Sequence, residues 1–139
     1  TVTGRDNKPY LARFHEEDIE KQSEYEFWNG SGWAKDNETA AVPLFDDIAG
    51  ELSVAYHPKF NKWILLYFNG TRYEISFRAA DHITGPWSEP AKLVDGWQYA
   101  QLYGSFIHPL SLEGDVLYFI MSMWLPYNSY LMSVELLSK

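Results

Sequence analysis

The acids at residues 46–51 are the groups best placed by type to do chemistry. Glu51 opens an otherwise apolar strand, "ELSVAYHP" (51–58), a few residues after the adjacent pair Asp46 and Asp47. Hydrolysis of a glycosidic bond uses two carboxyl groups on either side of the sugar. One is protonated to assist the leaving group, and the other is ionised as nucleophile or base. A carboxyl among apolar neighbours such as Leu52, Trp63 and Tyr103 suits the first role, because burial favours the neutral form. Glu51 is therefore the catalytic candidate, with Gly50 letting the backbone turn tightly into the strand. The alternative is a strand-edge charge, or an ion pair with Arg72 or Arg78. Asp46 and Asp47 sit in a loop, where adjacent acids usually face solvent.

A second constellation is suited to binding. "WLPYN" (124–128) places Trp124, Tyr127 and Asn128 after a strongly apolar strand, in the loop before the next. Flat rings can cover the apolar face of a sugar while an amide reads its hydroxyls. Tyr103, Ser105 and His108 open the same repeat and join these as substrate-binding candidates. The competing reading is packing and turn formation, and for Trp87, in Gly-Pro-Trp, packing is the stronger one. The chain has no cysteine and no two histidines three or four residues apart, so it carries no transition-metal motif. No cofactor or metal is expected, although a structural calcium ion is compatible with the sequence.

The elements that would position these residues are short strands. The 139 residues suffice for one domain with a sizeable core. Eleven basic against nineteen acidic residues give a net charge of −8, which excludes a phosphate-backbone partner. The most apolar runs, "WILLYF" and "VLYFIMSMW", are strand-length and well short of a membrane-spanning helix. Only "HEEDIEKQSEYEF" holds enough helix formers for a turn or two. Strands are expected at 9–14, 25–30, 51–58, 62–70, 73–80, 91–95, 104–111, 115–124 and 129–137. The triplets "NGS" (29–31), "NET" (37–39) and "NGT" (69–71) match the glycosylation acceptor pattern but read as turns.

A repeat organises these strands. "YHPKFNKWILLYF" and "IHPLSLEGDVLYFI" align His57-Pro58 with His108-Pro109, 51 residues apart, and each then runs hairpin, aromatic-rich strand, turn, strand. A period near 50 residues of about four antiparallel strands is the signature of a β-propeller blade. The expected fold is all-β, about two and a half blades of a propeller within one domain, 1–139. Residues 9–45 would form the outer part of one blade, 48–95 a full blade, and 103–137 three strands of the closing blade. Propellers close with four to eight blades, so further N-terminal blades or a second copy are expected to complete the ring.

Taken in order, "SEYEFWNGSGW", "GELSVAYHPKFNKWILLYFN", "RAADHITGPWSEP", "YGSFIHP" and "YFIMSMWLPYNSYLMSVEL" resemble the C-terminal half of the bacterial domain-of-unknown-function family 4185, over about residues 9–137. The resemblance implies a five-bladed propeller related to glycoside hydrolases of the arabinanase and fructosidase kind. Some relatives are endo-D-arabinanases acting on mycobacterial-type cell-wall arabinan. It therefore implies a polysaccharide or oligosaccharide partner and an extracellular or cell-envelope location. It also implies that further inner-strand carboxylates lie on blades outside these residues.

Overall fold

The structure, a computed structural model, describes residues 7–137. It is all-β, with ten strands among the described residues and only short 3-10 turns besides. A small sheet comprises β1 (Ala12–Arg13), β2 (Glu26–Trp28) and β3 (Trp33–Lys35), in that order. A four-stranded meander follows: β4 (Ala49–His57), β5 (Lys62–Asn69), β6 (Glu74–Ala80) and β7 (Ala91–Asp95). The third sheet is the meander β8 (Leu102–Ile107), β9 (Val116–Met123) and β10 (Asn128–Glu135). All pairings are antiparallel. Sequential three- and four-stranded meanders in this order are blades and part-blades of a propeller.

Local chemistry explains the strands. β5 reads "KWILLYFN", a run of aromatic and branched residues, and its centre is buried on both faces as a middle strand requires. Three tight hairpins, at residues 58–61, 70–73 and 124–127, join β4 to β5, β5 to β6 and β9 to β10. Each ends on a residue with left-handed backbone: Asn61 (φ 51°), Tyr73 (φ 55°) and Tyr127 (φ 55°). The helix-forming stretch yields only two 3-10 turns, Glu16–Asp18 and Gln22–Glu24, with no buried residue to anchor a longer helix. β3 was missed as a strand because it is three residues long, and β1 is shorter than expected. The three acceptor-like triplets do lie at turns. Asn29 accepts from the N–H groups of Ser31 and Gly32, and Asn69 from those of Thr71 and Arg72.

The main core lies between the second and third sheets. Ile64, Leu66, Ile75 and Val94 from one face meet Leu102, Ile107, Leu117, Phe119 and Met121 from the other. A smaller core on the far side of the second sheet joins Leu65, Tyr67, Ala80 and Trp87 to Leu44 and Phe45, so Trp87 is the packing anchor expected. His57 is the last residue of the first strand of its sheet, and His108 directly follows the first strand of its own, the corresponding place that the repeat predicts. The His57 ring is fully buried against Phe60, and burial pushes its pKa down, so it is neutral at physiological pH.

Among the described residues, two apolar faces are left open. Leu52, Val54 and Tyr56 share a face of β4, and Phe106, Tyr118 and Leu131 share the outer face of the third sheet. The main core sets stability. Leu66→Ala, at a fully buried position, is expected to cost about 3 kcal/mol in urea unfolding. Val54→Ala on the open face is expected to cost less than about 1 kcal/mol.

Candidate functional site

The starts of β4, β6, β8 and β10 and the ends of β5, β7 and β9 share one end of the sheets. Glu51 lies at this end, between two irregularities. The β4–β5 register shifts between Ala49 and Leu52, and the β8–β9 register shifts between Tyr103 and Ser105. Gly104 occupies the second bulge with φ 66°, a conformation that glycine adopts without strain. Its N–H donates to Glu51 Oε2 at 3.3 Å. The Ser105 hydroxyl donates to the Glu51 carbonyl oxygen at 3.3 Å, and the Ile107 N–H donates to Ser53 Oγ at 3.1 Å. The first strands of two adjacent sheets are thus laced together by side chains, and the Glu51 carboxylate is held beside the strand that carries Tyr103.

The surroundings of Glu51 differ from those expected. Leu52 points to the opposite, open face of β4 because successive strand residues alternate. Trp63 pairs with Tyr56 at the far end of β4, their rings 5.5 Å apart. Of the three apolar neighbours foreseen, only Tyr103 belongs to a segment beside the carboxyl. Arg78 does not pair with Glu51 either; it pairs with Asp47.

A groove of about 630 Å³ opens at the same end of the sheets, lined by Phe68, Gly70, Tyr73, Gln101, Leu102, Tyr103 and Trp124, with Glu51 bonded to the residue after Tyr103 rather than in the lining itself. That volume lies within the roughly 300–1,000 Å³ range of small-ligand clefts. Tyr103 and Trp124 line it, and Tyr127 flanks it with its ring 5.9 Å from that of Trp124. Asn128 is the first residue of β10 rather than a loop residue, paired with Met123. Ser105 is buried and committed to the β4 tie. His108 lies beyond the other end of β8, about 17 Å from Tyr103 at the usual rise of a strand. There its Nδ1 accepts from the Leu110 N–H. The structure therefore gathers Glu51, Tyr103, Trp124 and Tyr127 at one end, with Asn128 alongside. Ser105 serves as a tie, and His108 stands apart.

Asp47 is the acid that sequence reasoning most underrated. Asp46 faces solvent and pairs with Lys8, as a loop acid should. Asp47 instead turns inward and accepts from Arg78 Nη2 at 2.7 Å, Asn69 Nδ2 at 3.0 Å and the Tyr67 hydroxyl. Arg78 also donates from Nε to Tyr67 Oη and from Nη1 to the Ser88 carbonyl, and its guanidinium lies 4.4 Å over the Phe45 ring. Asn69 donates onward to Ser76, and Ser76 to Glu74. The only sequence signal was the alternation of polar residues at 67, 69, 74, 76 and 78, and nothing local showed that one loop acid would cover it. Burial would push the Asp47 carboxyl up, but the hydrogen bonds from Tyr67 and Arg78 and the Arg78 charge hold it below its usual value. Burial, with the bond to Asp47, pushes the Tyr67 phenol up to about 12. The cluster is a structural clamp, fixing the approach to Gly50 and Glu51 against β5 and β6.

The meander sheets, their face-to-face packing and the laced first strands define an all-β protein of the propeller type. The chain belongs to the family described as Domain of unknown function (DUF4185), whose model matches residues 1–133, nearly the whole chain. No curated protein matches it. Among the described residues no group of three His, Cys, Asp or Glu could hold a metal ion.

The clamp has a pH signature. A folded-state pKa below the ordinary 3.8 means that the unfolded chain binds the Asp47 proton first as pH falls. Its contribution is therefore present above about pH 4 and is lost as pH falls through the depressed value. Asp47→Ala, which leaves Arg78 buried without its partner, is expected to cost about 3 kcal/mol at pH 7. The difference from the unsubstituted protein should shrink in urea titrations run toward pH 2.

Proposed function

We propose that this chain is the carbohydrate-handling part of a glycoside-hydrolase-type propeller that acts on a polysaccharide or oligosaccharide of the furanoside, arabinan type. The observation that carries the reading is the Glu51 carboxylate, held by the Gly104 N–H between two bulges, at the same end of the sheets as an aromatic groove. Bulges recur next to active sites because they re-aim a side chain out of the regular pleat. Trp124 and Tyr103 offer ring faces for sugar, and Asn128 an amide for hydroxyls. In this reading Glu51 is the acid, or the group that orients the transition state, and its partner carboxylate stands on another blade across the channel. The family resemblance supports the substrate class and an extracellular or cell-envelope setting.

A second reading is a non-catalytic carbohydrate-binding module. It is favoured by the state of the two acids nearest in sequence, since Asp46 is paired with Lys8 and Asp47 with Arg78. One experiment separates the two. In the complete protein, Glu51→Gln should lower turnover of arabinan by about 10²–10⁴-fold, the range for a general acid, while sugar binding is retained. Unchanged turnover would remove Glu51 from the chemistry. Binding with no reducing ends released, even from the unsubstituted protein, would establish the binding module.

A further inference from the structure

Tyr73, Gln101 and Tyr127 hold left-handed backbone, with φ 55°, 54° and 55°. Tyr73 and Gln101 line the groove, and Tyr127 flanks it through Trp124. The other non-glycine residues in this conformation among those described are Asp36 and Asn61, types that tolerate it. Asn61 ends the hairpin at the opposite end of the sheets, in the same position that Tyr73 and Tyr127 occupy in theirs. At the groove, then, two equivalent hairpins place a bulky ring where a small polar residue would relieve strain. Strain of this kind persists where the side chain serves a site.

The rings around the groove form two edge-to-face sets. On one wall Tyr73 meets Phe68 at 5.8 Å and 89°, and Trp97 at 5.1 Å and 62°. On the other Trp124 meets Tyr103 at 5.9 Å and 72°, and Tyr127 at 5.9 Å and 77°. Edge-to-face contact fixes a ring while leaving faces open, unlike the stacked pair Phe14–Tyr25, at 4.4 Å and 10°, which covers them. Trp97 is 84% exposed and Tyr127 78%, yet both are held in place. The Trp97 backbone N–H donates to Asp95 Oδ1 at 3.0 Å, and Gly96 packs so closely under Tyr73 that a Cβ there would lie 2.3 Å from the Tyr73 carbonyl oxygen.

We infer that Tyr73 with Trp97 forms a second sugar platform, facing the Trp124–Tyr127 platform across the groove, so that the site holds at least two adjacent units of a neutral oligosaccharide. This deepens the carbohydrate reading and rests on it. None of the groove-lining residues is charged, which fits a neutral ligand and disfavours an anionic one. Gln101 and Tyr103 supply hydrogen-bonding groups between the two ring sets.

The test is calorimetric titration of the complete protein with arabino-, xylo- and cello-oligosaccharides of two to six units, alongside thermal unfolding. Affinity for the preferred series is expected to rise at least tenfold between the shortest and longest members. Trp97→Ala should abolish most of that rise, with an unchanged unfolding midpoint. Tyr127→Asn should weaken binding at least fivefold, with a midpoint equal to or above that of the unsubstituted protein, since Asn relieves the strained backbone. If the unsubstituted protein binds and Trp97→Ala matches it across the length series, the second platform is wrong and the carbohydrate reading stands, and if Tyr127→Asn matches it too, neither ring set is a sugar platform. If the unsubstituted protein binds none of these sugars, both fall.

Discussion

The packing of the four-stranded sheet against the third sheet is the constraint on which everything else at the site depends. The shared core from Ile64 and Leu66 to Phe119 and Met121 fixes the two sheets face to face. Because β4 and β8 are the first strands of successive meanders, this packing brings them side by side without a backbone ladder between them. The gap is closed by Gly104 N–H to Glu51, Ser105 to the Glu51 carbonyl, and Ile107 N–H to Ser53. Had β4 paired with β5 one residue out of register, alternation along β4 would have turned Glu51 to the open face and Leu52 toward β8.

A second layer of control comes from the clamp around Asp47. Arg78 and Asp47 are both largely buried, and a buried ion pair stabilises a protein only when its remaining hydrogen-bonding capacity is met. Tyr67, Asn69 and the Ser88 carbonyl meet it here. Asn69 also accepts from the N–H groups of Thr71 and Arg72, so the clamp continues into the hairpin that ends on Tyr73. The loop entering β4 and the hairpin leaving β5 are thereby tied to one buried cluster. One holds Glu51 in place and the other shapes a wall of the groove.

The groove carries strain that the other described residues avoid. Left-handed backbone costs a bulky residue on the order of 1–2 kcal/mol, a sizeable part of a marginal stability. Elsewhere the chain uses Asp36 and Asn61 for this conformation. Its use of Tyr73 and Tyr127 at equivalent hairpin ends is a departure from local preference of the kind that functional sites show.

The sequence by itself determined the strands and their repeat. Alternating and continuous apolar runs with turn residues between them are local signals, and the His-Pro spacing marked corresponding strand ends. It also made Glu51 stand out, because a carboxylate opening an apolar strand conflicts with its neighbours. Only the tertiary structure decided what surrounds that carboxylate. Trp63 went to the far end of its sheet and Leu52 to the other face, while Gly104, remote in sequence, became the hydrogen-bond donor. Asp47 looked like a solvated loop acid and proved to be buried, because its partners lie twenty to thirty residues away on β5 and β6. His108 and Tyr103 looked like neighbours but stand at opposite ends of one strand, since a few residues of extended chain already span the sheet. Trp97 and Tyr73 gave no pattern at all, because ring-to-ring geometry across a groove is a property of packing and leaves no period in the sequence.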